Sequence, residues 1–218
     1  MDVFDEPIDA DSYRVDSGSF ESVERESSPY VEIDAQLEHR ERDLAPLKFC
    51  LDGPNEEWKQ RVVYTAGLDL SDRSNQTILI FEIALPGSQG FEELNDPRTR
   101  RDDDELSAYT AHLRSFFVEE DIHDRLTGLG PIGKCLSLSQ EQPVILFLKG
   151  IDRVPGRAQS MFFGILERNP RIQYGVQIEG EPTNLTIFTT TDFTAEREDL
   201  DRKLRSLLGG VYRREDLE

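Results

Sequence analysis

The chain has 218 residues, 37% of them hydrophobic, which suits one sizeable domain with a tail or two small domains. No apolar run approaches the ~20 residues that span a bilayer, so no membrane span is expected. With 44 acids against 25 bases the net charge is −19, which argues against direct nucleic-acid binding through a basic face.

The bases are 20 Arg and 5 Lys, a balance open to two readings: a high-salt cytoplasm or an ordinary acidic protein. Cys50 and Cys135 form no CxxC and are expected as buried reduced thiols. His39, His112 and His123 are scattered, so no metal site is expected. The first residues carry neither a basic nor an apolar leader region, which points to a cytoplasmic location.

Residues 1–44 are rich in Asp, Glu and Ser and lack a sustained apolar period, so they read as an acidic, disordered or loosely attached arm. Folded structure is expected over 45–218. Leu47-Lys-Phe-Cys-Leu reads as a strand ended by Asp52-Gly53-Pro54. Trp58, Val62, Val63 and Ala66 recur at helical spacing, with a stop expected near Gly67. A strand follows from Thr77, then a charged excursion from Pro86 to Glu105.

A helix is expected from Leu106 to Leu126, then a Gly-rich loop and a short helix near Lys134–Ser139. Val144-Ile-Leu-Phe-Leu reads as a buried strand, followed by a helix from Ala158 to Arg168, and Ile172–Gly180 alternates as a hairpin would. Leu185-Thr-Ile-Phe-Thr-Thr-Thr is a further strand, and the last helix carries Leu200, Leu204, Leu207 and Leu208. Alternating strands and helices predict an α/β three-layer sandwich with a mostly parallel sheet.

Three places carry the candidate chemistry. A phosphate loop reads G-x-x-x-x-G-K-[ST], its backbone amides cradling phosphates and its Lys reaching the β and γ groups. Here Gly53 and Lys59 match that pattern. Trp58 stands for the second Gly, Gln60 for the hydroxyl, and Glu56 and Glu57 put negative charge where phosphates would sit.

In the second place, Phe147-Leu-Lys-Gly-Ile-Asp-Arg-Val-Pro with Ala158-Gln-Ser-Met-Phe-Phe-Gly-Ile-Leu resembles the Walker B strand and following helix of AAA+ ATPases. The resemblance implies that Lys149 and Gly150 stand where the magnesium-organising Asp and the water-activating Glu belong, and Asp152 matches only the third acid. Losing both carboxylates would remove metal positioning and the general base together.

In the third, Ile187-Phe-Thr-Thr-Thr-Asp192 resembles the sensor 1 strand. The preceding hairpin is similar to the insertion of the Clp-like and MoxR-like branch, and Arg205 (or Arg202) matches the arginine finger of Leu200-Asp-Arg-Lys-Leu-Arg-Ser. The resemblance spans about residues 47–208 and leaves no room for the helical lid.

It implies a catalytically inactive AAA+-like module acting through a protein partner, an active AAA+ ATPase among the candidates, with no cofactor of its own. The alternative is a divergent NTP-binding or NTP-hydrolysing enzyme, holding ATP and magnesium through Gly53, Lys59 and Gln60 and recruiting Asp152 or Asp192. At single positions, Lys59 reads either as a solvated helix-surface lysine or as a phosphate ligand. Arg205 reads as part of an exposed charged face or as the finger. Phe116, Phe117, Phe162 and Phe163 read as core packing.

Overall fold

A computed structural model describes residues 28–39, 46–85, 102–120, 126–154, 156, 158–167, 184–192 and 202–213, with the backbone alone at 28 and 102–108. Five strands, β1 (Leu47–Asp52), β2 (Leu79–Ala84), β5 (Val144–Lys149), β6 (Leu185–Thr191) and β7 (Gly210–Arg213), form one sheet in the order β2-β5-β6-β1-β7. Every pairing in that sheet is parallel. A separate antiparallel pair joins β3 (Val118–Glu120) to β4 (Leu126–Leu129).

Parallel strands are buried on both faces, which is why β5 and β6 are apolar or Thr-rich runs without polar alternation. Phe49, Leu51, Ile80, Ile145, Phe147 and Phe188 point to one face. That face is covered by α1 (Ser28–Glu38) and α2 (Glu56–Ser74). Phe81, Ile83, Leu146, Leu148 and Ile187 point to the other. There they meet α3 (Asp102–Ser115), α4 (Pro131–Leu138), α5 (Phe163–Leu166) and α6 (Arg202–Leu207). The expected three-layer α/β sandwich is the observed one, and no helix among the described residues is long and apolar enough to cross a membrane.

The N-terminal boundary differs from expectation. Within the segment read as a loose arm, Ser28–Glu38 is a helix whose Tyr30, Ile33 and Leu37 are all buried. An 11-residue helix is short of the ~12–15 residues at which isolated helices become marginal, so tertiary contact is what holds it. The Tyr30 hydroxyl donates to Asp69 Oδ2 at 2.5 Å, Gln36 Nε2 donates to the Tyr212 hydroxyl at 2.6 Å, and Arg73 pairs with Asp34. Residues 1–27 lie outside the described ones.

Four element boundaries also move. α2 continues through Gly67 to Ser74, because a glycine there lets the helix approach β2: a Cβ would lie 3.1 Å from Ile80 Cδ1. Asn75, with φ of +52°, ends the helix in the left-handed conformation.

α3 stops at Ser115, where burial of Phe117 and Val118 turns the chain into β3. The stretch read as a Gly-rich loop holds β4 and the start of α4. The expected helix over Ala158–Arg168 is a 3-10 turn, Gln159–Phe162, followed by the single turn α5. Buried Gln159 donates through Nε2 to Val154 O at 2.9 Å, and Lys48 Nζ takes the Leu166 carbonyl at 2.7 Å, which terminates that turn. Residues 86–101 of the charged excursion and the hairpin at 172–181 lie outside the described residues.

Both cysteines are buried thiols in no disulfide, as expected. Of the Phe116–Phe163 aromatic set, Phe117 and Phe162 are buried with ring centroids 6.1 Å apart, and Phe116 and Phe163 are partly buried against the same core cluster.

Candidate functional site

In open parallel α/β sheets, ligand sites form beyond the carboxyl ends of the strands, where neighbouring strands lead to opposite faces. Here β1 leads into α2 on one face, while α6, the helix between β6 and β7, packs through Leu204 and Leu208 on the other. β1 and β6 are adjacent, so the candidate site is the edge they share.

At the end of β1, Gly53 takes φ of +122°, a conformation suited to glycine, and its amide donates to Thr191 O at 3.1 Å. Only Pro54 and Asn55 separate it from α2. Asn55 caps the helix, its side-chain oxygen accepting the Trp58 amide at 2.8 Å. Glu56 and Glu57 then occupy the first turn, where they meet the positive end of the helix dipole. The helix therefore begins three residues after Gly53. Of the amides along this turn, that of Gly53 is taken by Thr191 O and those of Trp58 and Lys59 by Asn55, while Pro54 has none.

Lys59 is fully buried. An ammonium has three donors and no acceptor, and all three find oxygens here: Glu56 Oε1 at 2.6 Å, Asp192 Oδ1 at 2.8 Å and Thr191 O at 3.0 Å. The reading of Lys59 as a solvated helix-surface lysine does not describe this arrangement. The lysine is not solvated, and the oxygens around it are the protein's own carboxylates and a carbonyl.

Asp192 is the hub. Its Oδ1 accepts Lys59 and its Oδ2 accepts Arg153, through Nε at 3.1 Å and through Nη2. Burial works upward on its acidity, yet hydrogen bonds from Arg153 and Lys59 prevail and hold the carboxyl down at about 2. Its amide donates to Asp152 Oδ2 at 2.9 Å. Asp152 behaves oppositely: burial raises its carboxyl above the usual range, against the pull of the amide bonds, and its Oδ1 is buried without a partner.

Gly150 is set by its backbone. It adopts φ of +73° and ψ of 45°, opening the 3-10 turn Ile151–Arg153, and its amide donates to Thr190 Oγ1 at 2.8 Å. At that φ a side chain is strained, so the turn favours glycine, and a Cβ would also crowd the flexible Arg153 side chain at 2.9 Å.

Lys149 extends toward the α2 side and pairs with Glu82 Oε1 on β2 at 2.7 Å. Glu82 Oε2 also accepts the Tyr64 hydroxyl at 2.8 Å and Gln60 Nε2 at 3.4 Å. Gln60 thus belongs to the Glu82 network and not to the Lys59 cluster. On the other side of β6, Asp52 at the tip of β1 accepts Thr191 Oγ1 at 2.8 Å and Arg213 Nε at 2.6 Å.

The structure brings Gly53, Lys59, Asp152 and Asp192 together and leaves Arg205 elsewhere. Arg205 is exposed on α6, which packs on the face of the sheet opposite α2. Glu56, Glu82, Thr191, Arg153 and Arg213 contribute polar contacts that motif spacing did not single out as site residues. A charged residue beside each strand tip was the only available signal. No group of acids, His or Cys among the described residues could hold a metal ion.

No family model matches the chain, and no curated protein matches it in sequence. Among solved structures it is similar to NtrX from Brucella abortus in complex with ATP, at 12% identity and a TM-score of 0.51. The match covers 91% of this chain and 39% of that one. The ADP complex of the same protein matches at 13% identity and a TM-score of 0.48, over 90% of this chain and 38% of that one. The chain thus spans about two fifths of the length of these proteins. At such identity the likeness concerns the fold alone, a parallel α/β sheet covered by helices on both faces.

Proposed function

We propose that this chain is a non-hydrolysing AAA+-like module that acts by docking to another protein, an active ATPase being the partner its fold suits. One observation carries the reading: Lys59, the lysine a phosphate loop would offer to nucleotide, is buried with all three donors committed to Glu56, Asp192 and Thr191 O. A nucleotide phosphate would have to displace two carboxylates and then sit beside them, which like-charge repulsion opposes.

The strand tip of β5 supports the same conclusion. On the resemblance, Lys149 and Gly150 stand for the two acids; Lys149 is engaged by Glu82, and the left-handed backbone at Gly150 disfavours a side chain. Both nucleotide motifs are, on this reading, degenerate, and residual nucleotide binding is not part of the function. Membership of the Clp-like or MoxR-like branch belongs to the proposal as well, as does a role for Arg205 as a finger acting in trans. Its exposure on α6 suits a residue that reaches a neighbour.

The enzyme alternative rests on Asp152, a partly buried carboxyl with one free oxygen and a raised proton affinity next to Asp192. It needs Lys59 to leave Asp192 when nucleotide arrives. Calorimetric titration with ATP, with and without magnesium, separates the two. The docking reading expects no magnesium-dependent binding. Tight binding that Lys59→Ala abolishes would overturn it. The docking partner itself is tested by affinity capture with Arg205→Ala as comparison, the expected outcome being capture of an ATPase whose turnover falls with the variant.

A further inference from the structure

We draw no further inference here: the strongest candidate, the outer edge of β7 with the exposed Val211 and the cations of α6 beside it, rests on Lys203 and Arg213 that already pair with Glu167 and Asp52, and nothing in the structure shows what covers it.

Discussion

Replacing Lys59 by Met retains most of the volume and the apolar stem while deleting the ammonium. Glu56 and Asp192 then face each other without their shared cation, and Thr191 O keeps only the Gly53 amide. Removing one partner of a buried ion pair costs about 3–5 kcal/mol. Here the loss is smaller, because the side chains of Glu56 and Asp192 are 43% and 31% exposed and Asp192 keeps Arg153.

A discounted cost of about 2–3 kcal/mol translates, at ~2–4 °C per kcal/mol for a chain of this size, into a Tm lower by about 4–12 °C. Differential scanning calorimetry on protein without nucleotide measures it. Adding Asp192→Asn to Lys59→Met should recover part of the loss, since the second change removes one of the two stranded carboxylates. A lysine kept for a ligand behaves otherwise: its removal leaves the unliganded protein as stable or more so. A Tm equal to or above wild type in Lys59→Met would therefore refute the internal-anion account.

Asp192 is held at about 2 in the folded chain against an ordinary value of 3.8, so its contribution is present above pH 3.8 and is lost as pH falls toward 2. Lys59→Met should shrink that acid-dependent loss, read from urea melts across the acid range. Asp152 has the opposite sign: its raised carboxyl makes ionisation a cost that appears as pH rises through its folded value. Asp152→Asn should accordingly stabilise at neutral pH, with the gain fading in acid; destabilisation at neutral pH would contradict the burial account.

Gly150→Ala should lower stability by about 1–2 kcal/mol, the cost of a left-handed residue with a Cβ, with a further loss from the contact to Arg153. Neutral denaturant melts would show that the turn does not need glycine. Lys149→Met should cost about 1 kcal/mol or less, because its pairing with Glu82 is partly solvated on both sides. A loss as large as that of Lys59→Met would mean the two lysines are equivalent, which their burial denies.

The layering of this protein was legible in its sequence. Apolar runs at Leu47, Val144 and Leu185, with helix-spaced apolar residues between them, require strands covered on both faces, because each such run can be dry only inside a sandwich. The motif positions were legible too, since Gly53, Lys59, Asp152 and Asp192 do converge at one sheet edge.

What the pattern could not carry was partnership across sequence distance. Gly67 resembles a helix stop, and only the approach of β2 turns it into a close-packing point. Tyr30, Ile33 and Leu37 are too few to stand out against acidic neighbours, and only a groove built from α2 and β7 makes them a buried face. Lys59 is the sharpest case. Spacing marks it as a lysine near a turn, but its state depends on Asp192, 133 residues away, and on the strand order that sets β6 beside β1. Helical and strand periods are local and survive in one dimension, whereas satisfaction of a buried charge depends on neighbours that only the folded chain assembles.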